Sequence, residues 1–218
     1  MLEEPELTET ALNLLGNMCT AAEPSQLIHL VETEDDKQSL FQILVDLIPT
    51  EFAAFAFWIM SSLFDNLPNE LMKFITTEFI QYVISVAESS NYKVRKESTF
   101  FLATVITKVP AVYIPQFAQS QELIDMLIDM LACDDKKVII LCFFAISFMI
   151  KRIQETKGTD EVVKVFCGTE LTNQIEILKL EHEEIISDLC TRTIEVLKQK
   201  STLLEIKSPI YIVGDLHG

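Results

Sequence analysis

Glycine is scarce in this chain, with five residues in 218, at Gly16, Gly158, Gly168, Gly214 and Gly218. So few glycines cannot supply the many tight turns of a β-sandwich or barrel, or a glycine-rich nucleotide loop. Base is scarce too. Seventeen Lys and Arg stand against 33 Asp and Glu, a formal net charge of −16. That balance excludes nucleic acid as a partner, because a polyanion is repelled rather than steered in. It suits a basic peptide or basic protein surface, or serves only to keep the chain in solution. The five cysteines, Cys19, Cys133, Cys142, Cys167 and Cys190, form an odd set with no C-x-x-C pair. No secretory leader is read in Met1-Leu-Glu-Glu-Pro, which is acidic where a leader is basic. Reduced thiols in a cytoplasmic or nuclear protein are the expectation. No long apolar run exists either. The longest, Val138 to Ile150, has thirteen residues between Lys136-Lys137 and Lys151-Arg152, too few to span a bilayer, so no membrane partner is expected.

What the chain does have is an apolar content of 49% against 23% charged residues, enough for a core rather than a disordered tail. It also repeats. From Phe79, apolar residues fall at Tyr82, Val83 and Val86, then at Val94, Phe101, Leu102 and Val105. From Leu123, 44 residues on, Met126, Leu127, Met130, Val138, Ala145, Ile146 and Met149 keep the same offsets. Spacings of three and four make an apolar helical face. Ser89-Ser90-Asn91 turns the first unit and Cys133-Asp134-Asp135 the second. An earlier unit runs through Leu40, Leu44 and Leu47 to Phe55 and Leu63, with Pro49 at its turn. A further one begins at Leu171, with Ile175, Leu178, Ile186, Ile194 and Leu197. Polar joints at 66–69, 110–115 and 156–160 separate the units. Helical repeats of this length predict an all-α fold, an armadillo- or HEAT-like solenoid whose units share one core because none buries its apolar face alone. Phe143, Phe144 and Phe148 sit at helical spacing inside an apolar run and read as core.

Val94-Arg-Lys-Glu-Ser-Thr-Phe-Phe-Leu-Ala-Thr-Val resembles the inner-helix pattern of armadillo repeats, particularly those of importin-α, the adaptor for nuclear-localisation peptides. The resemblance covers roughly residues 40 to 198 and rests mostly on hydrophobic spacing. It implies that an inner-helix Trp and an Asn four residues later hold an extended basic peptide. Here the matching pairs are Trp58/Ser62, Phe100/Thr104 and Phe144/Phe148. One Trp stands at these positions and no Asn. Ser62 and Thr104 offer a hydroxyl where the family offers an amide, and Phe148 offers neither. Trp58, Ser62, Phe100 and Thr104 are the candidate protein-binding residues. For Trp58, core packing among Phe55, Phe57 and Ile59 is the competing reading.

The last residues break the helical pattern. Ser208-Pro209 stops a helix, and Ile210 to Val213 is a short β-prone run before Gly214-Asp-Leu-His-Gly218. Asp215 and His217 sit two apart, so both side chains can point the same way from a strand end and suit a first-row divalent ion. The stretch from Leu203 to Gly218 is similar to the opening of PPP-family protein serine/threonine phosphatases, whose first signature is G-D-x-H-G. That resemblance implies that Asp215 and His217 each ligate one of two bridged metals (Mn, Fe or Zn) in a complete domain, activating a water against a phosphate ester. The other signatures of that family have no place in the chain as given, and two ligands hold no binuclear centre. A truncated phosphatase domain is therefore the expectation, and no catalysis or cofactor is expected for the chain as given.

The organisation expected is armadillo-like repeats over 1–157, a last repeat or phosphatase lead-in over 158–200, and the first strand and metal motif of a phosphatase over 201–218. The function expected is a non-catalytic protein-binding module ahead of a phosphatase domain. An N-terminal fragment of an active phosphatase and a degenerate importin-α-like adaptor are the alternatives.

Overall fold

A computed structural model describes residues 5–31, 38–166 and 170–175, and among these there is no β-strand. The α-helices follow in this order: α1 Pro5–Ala21, α2 Pro24–Val31, α3 Leu40–Leu47, α4 Ala53–Asn66, α5 Pro68–Leu71, α6 Thr77–Ser89, α7 Tyr92–Lys108, α8 Ile114–Phe117, α9 Gln121–Asp129, α10 Lys136–Lys157 and α11 Thr159–Phe166, and residues 171–175 are helical as well.

Helix starts are set by side chains that accept the backbone N–H groups left over in a first turn. Ser39 accepts from Gln42 at 3.3 Å, Thr76 from Phe79 at 3.2 Å and Asn91 from Val94 at 3.1 Å. Ser120 accepts from Leu123 at 3.3 Å and Asp135 from Lys137 at 3.1 Å. Each such cap stabilises its helix by about 1 kcal/mol. Gly158, at φ +86°, closes α10 in a conformation that a side chain disfavours.

The joints contain more helix than their sequence suggests. Pro68 opens α5, Ile114-Pro115 opens α8, and Thr159 starts α11. Proline fits a first helical position because its missing N–H has no partner there anyway. Each unit is thus three helices, α2–α3–α4, α5–α6–α7 and α8–α9–α10, with the third the longest; the first has four residues in the last two units, whereas α2 and α3 have eight each. The third helices form a row, in which α1 packs on α4, α4 on α7 and α7 on α10. Behind them, α3, α6 and α9 pack on the third helices of their own units.

One continuous core runs through the stack, from Leu12 of α1 to Leu171 and Ile175. Phe101 is its hub. The ring is fully buried, with Phe57 at 6.2 Å, Phe64 at 6.3 Å and Phe79 at 6.2 Å between centroids. Such aromatic pairs add roughly 0.5–1.5 kcal/mol each beyond burial. The buried hydroxyls are satisfied locally, as where Ser61 donates to the Phe57 carbonyl at 2.8 Å and Thr99 to the Arg95 carbonyl at 2.8 Å. Together these features make an all-α solenoid.

Candidate protein-binding groove

The row of third helices leaves a groove of about 640 Å³. Trp58, Ser62, Phe100 and Thr104 all line it, together with Thr20 of α1 and Phe144 of α10. The four residues expected from sequence are therefore brought together on neighbouring helices. Trp58, Phe100 and Phe144 occupy matching places, spaced 42 and 44 residues apart. Trp58 and Phe100 are half-buried, and Phe144 is 44% exposed.

Phe144 corrects the expectation that it is core. Phe143, one residue earlier, lies about 100° away around the helix and is buried, while Phe144 faces the groove. Phe148 is half-buried and does not line the groove; the Arg152 guanidinium lies over its ring at 5.0 Å.

Trp58 is held where it is by a glycine. A Cβ at Gly16 would stand 2.8 Å from Cε3 of Trp58, and closer still to Cζ3 and Cη2. The indole thus lies directly against the α1 backbone, packed on one side and open to the groove on the other. Core packing and groove lining each hold a share of this geometry.

The hydroxyls behave differently from the rings. Ser62 Oγ donates to the Trp58 carbonyl at 3.3 Å and lies 3.1 Å from Thr20 Oγ1. Thr104 is buried, and its Oγ1 donates to the Phe100 carbonyl at 2.9 Å. Each hydroxyl proton is spent on its own helix, so the polar half of each pair has little left for a ligand backbone.

Charge supplies what the hydroxyls do not. Asp65, Glu97 and Asp135 line the groove, with Lys108 and Lys137 as its cations. Lys108 bridges to Asp65 at 2.7 Å, joining α7 to α4, and Lys96 reaches Asp135 at 3.1 Å and Glu97 at 3.6 Å. Burial raises the Glu97 carboxyl above the ordinary carboxylate range, and the nearby Lys96 ammonium offsets this only in part. Burial also works against the Asp135 carboxylate, but the Lys96 ammonium and the Lys137 N–H outweigh it and hold that carboxyl below its ordinary value. Sequence reasoning missed these three acids. A signal was present, since Asp65 lies seven residues after Trp58 and Glu97 three before Phe100, each on the same helical face.

The expected metal pair, Asp215 and His217, and the strand Ile210–Val213 lie outside the described residues. Among the described residues no group of His, Cys, Asp and Glu could hold a metal ion, and no helix is long and apolar enough to cross a membrane.

No family model matches the sequence, and no curated protein matches it. Solved structures do match in fold. One is a designed armadillo repeat protein in complex with the peptide (KR)4, at a TM-score of 0.54 and 15% identity, covering 90% of this chain and 96% of that one. Two engineered proteins match with TM-scores of 0.59 at 14% identity, each covering 91% of this chain and 93% or 95% of its own. The chain is an armadillo-like helical repeat solenoid.

Proposed function

We propose that the chain is a protein-binding module whose groove takes an extended basic segment of a partner. The observation that carries this reading is that Trp58, Phe100 and Phe144, on three neighbouring helices, line one groove together with Asp65, Glu97 and Asp135. Aromatic faces and carboxylates together suit Lys and Arg side chains, whose aliphatic stems stack while their charged ends pair. A net charge of −16 steers such a segment in. A designed armadillo repeat protein similar in fold is in complex with the peptide (KR)4, which supports this reading.

The test is an anisotropy titration with a labelled Lys-Arg repeat peptide. Binding that saturates at low salt and weakens as salt rises is expected, as is a loss of roughly tenfold for Trp58→Ala or Phe144→Ala. Absence of saturable binding at low salt removes both this reading and that of a degenerate nuclear import adaptor.

The sequence Gly214-Asp-Leu-His-Gly218 favours a further reading compatible with the first, in which the solenoid stands ahead of a metal-dependent protein serine/threonine phosphatase domain. Asp215 and His217 would then contribute metal ligands once the remaining ligands of that domain are supplied. Sequencing the transcript past the codon for Gly218 tests this. A frame containing D-x-x-D-R-G and N-H-E supports it, and a stop codon removes it.

A further inference from the structure

The groove carries ion pairs at two levels along its helices. Near the helix starts, Glu97 lies in the second turn of α7 and Asp135 caps α10, and both pair with one ammonium, that of Lys96, at 3.6 and 3.1 Å. At the helix ends, Asp65 stands next to last in α4 and Lys108 last in α7, and these two pair with each other at 2.7 Å. Eleven residues of α7 separate Glu97 from Lys108, about 16 Å. Phe100 lies between them on the same groove-lining face.

The two levels are held differently. The side chains of Lys96 and Glu97 are only 23% and 21% exposed, so parting them strips partners from groups with little water to replace them. Lys108 and Asp65 are 38% and 59% exposed. An exposed one-to-one pair is weak, because each group regains water when it opens and the long Lys side chain regains its freedom. Lys108 thus places a cation of the chain itself on the groove carboxylate that is most easily vacated. We infer that Asp65 is the carboxylate that receives the partner's Lys or Arg, and that Lys108 is a tethered competitor for it, an autoinhibitory contact that sets the affinity of the groove. This inference rests on the proposed function of the groove. Exchange swaps one ammonium for another cation on Asp65 and releases Lys108 to water.

The experiment uses the whole chain and the labelled Lys-Arg repeat peptide, titrated by anisotropy at low salt. Lys108→Met keeps the apolar stem and removes the competitor, and it should tighten binding roughly threefold or more. Lys137→Met removes the same charge from the groove but frees no paired Asp65, so its gain should be smaller. In an Asp65→Asn background the extra gain of Lys108→Met over Lys137→Met should vanish. Circular dichroism should give Lys108→Met a melting curve close to that of the parent chain, since the pair is exposed. Equal gains from the two Lys variants would overturn the inference, as would a gain for Lys108→Met that persists in Asp65→Asn; in both cases the groove itself still binds. Failure of the parent chain and of every variant to bind would remove the groove reading and this inference with it. Binding by Lys108→Met where the parent chain and Lys137→Met show none would support both.

Discussion

Replacing Gly16 by Ala sets two known effects against each other at one atom. Alanine inside a helix is favoured over glycine by about 0.5–1 kcal/mol, because glycine loses more backbone freedom on folding. Against this, the new Cβ would enter the indole of Trp58. Overpacking of that kind costs about 1–3 kcal/mol. The ring has an outlet, since Trp58 is only half-buried and borders the groove. The cost should therefore fall below the top of that range, at about 2 kcal/mol, leaving a net destabilisation of about 1 kcal/mol and a Tm lower by about 2–4 °C. The indole should move into the groove, so emission from the chain's one Trp shifts to the red and basic-peptide binding weakens. A double-mutant cycle with Trp58→Phe, followed by circular dichroism, isolates the clash. In the Trp58→Phe background the helix gain is no longer opposed, and Gly16→Ala should become neutral or stabilising, a coupling of about 1–2 kcal/mol. A coupling below about 0.5 kcal/mol, with unchanged Trp emission in the single Gly16→Ala variant, would refute the close approach of α1 to α4.

Phe101→Ala should cost about 3–5 kcal/mol in denaturant unfolding, because it empties the hub that Phe57, Phe64 and Phe79 surround. Glu97 should make stability and binding respond to pH in opposite directions. Its folded carboxyl is raised above the unfolded value by burial, so the folded chain takes up a proton first; its stability cost at neutral pH is relieved as pH falls through that raised value, while the groove loses a negative charge and basic-peptide affinity drops. The Asp135 carboxyl, held low, contributes stability that is lost only at more acidic pH, and Glu97→Gln should remove the first transition while leaving that one. Among the described cysteines, Cys133 should react first with iodoacetamide, read by mass spectrometry. Cys19 is buried with its thiol raised to about 11, and Cys142 is buried with its thiol raised further, so their labelling should follow unfolding.

How far the sequence leads can be argued helix by helix. The pairs α6/α7 and α9/α10 are visible as matching apolar offsets from Phe79 and Leu123, because a helix with one buried face repeats every three or four residues. Asn91 and Asp135, legible only as turn residues, prove to be the caps that set where α7 and α10 begin. The short helices α5 and α8 are not visible, since four residues make no period and their prolines read as breaks. Phe144 misleads for the opposite reason. Within the apolar run from Val138 to Ile150 every position is hydrophobic or small, so periodicity cannot tell the buried Phe143 from the exposed Phe144. Only the 44-residue register from Phe100 marks it.

The site follows the same logic one level down. Position along a helix decides which residues share a face, and that is legible; which way a hydroxyl turns is a rotamer choice, and that is not. Ser62 and Thr104 stand where an armadillo adaptor presents amides, yet both bond back to their own helices, to the carbonyls of Trp58 and Phe100. An amide side chain is long enough to reach past its own helix to a ligand backbone, whereas a hydroxyl on Cβ is short and finds the carbonyl four residues back. Measured against the importin-α resemblance, hydroxyls in place of amides leave no side chain for backbone recognition at these two positions, while aromatic rings stand at all three matching places. Under the proposed function, a ligand would be selected by the face of each ring and by the carboxylates of Asp65, Glu97 and Asp135, of which Asp65 pairs with Lys108, and Glu97 and Asp135 with Lys96. A ligand must displace or outbid those lysines. That requirement favours Arg, whose planar guanidinium can pair with a carboxylate through two hydrogen bonds and stack on a ring at once, over Lys, which brings only the point charge the groove already holds.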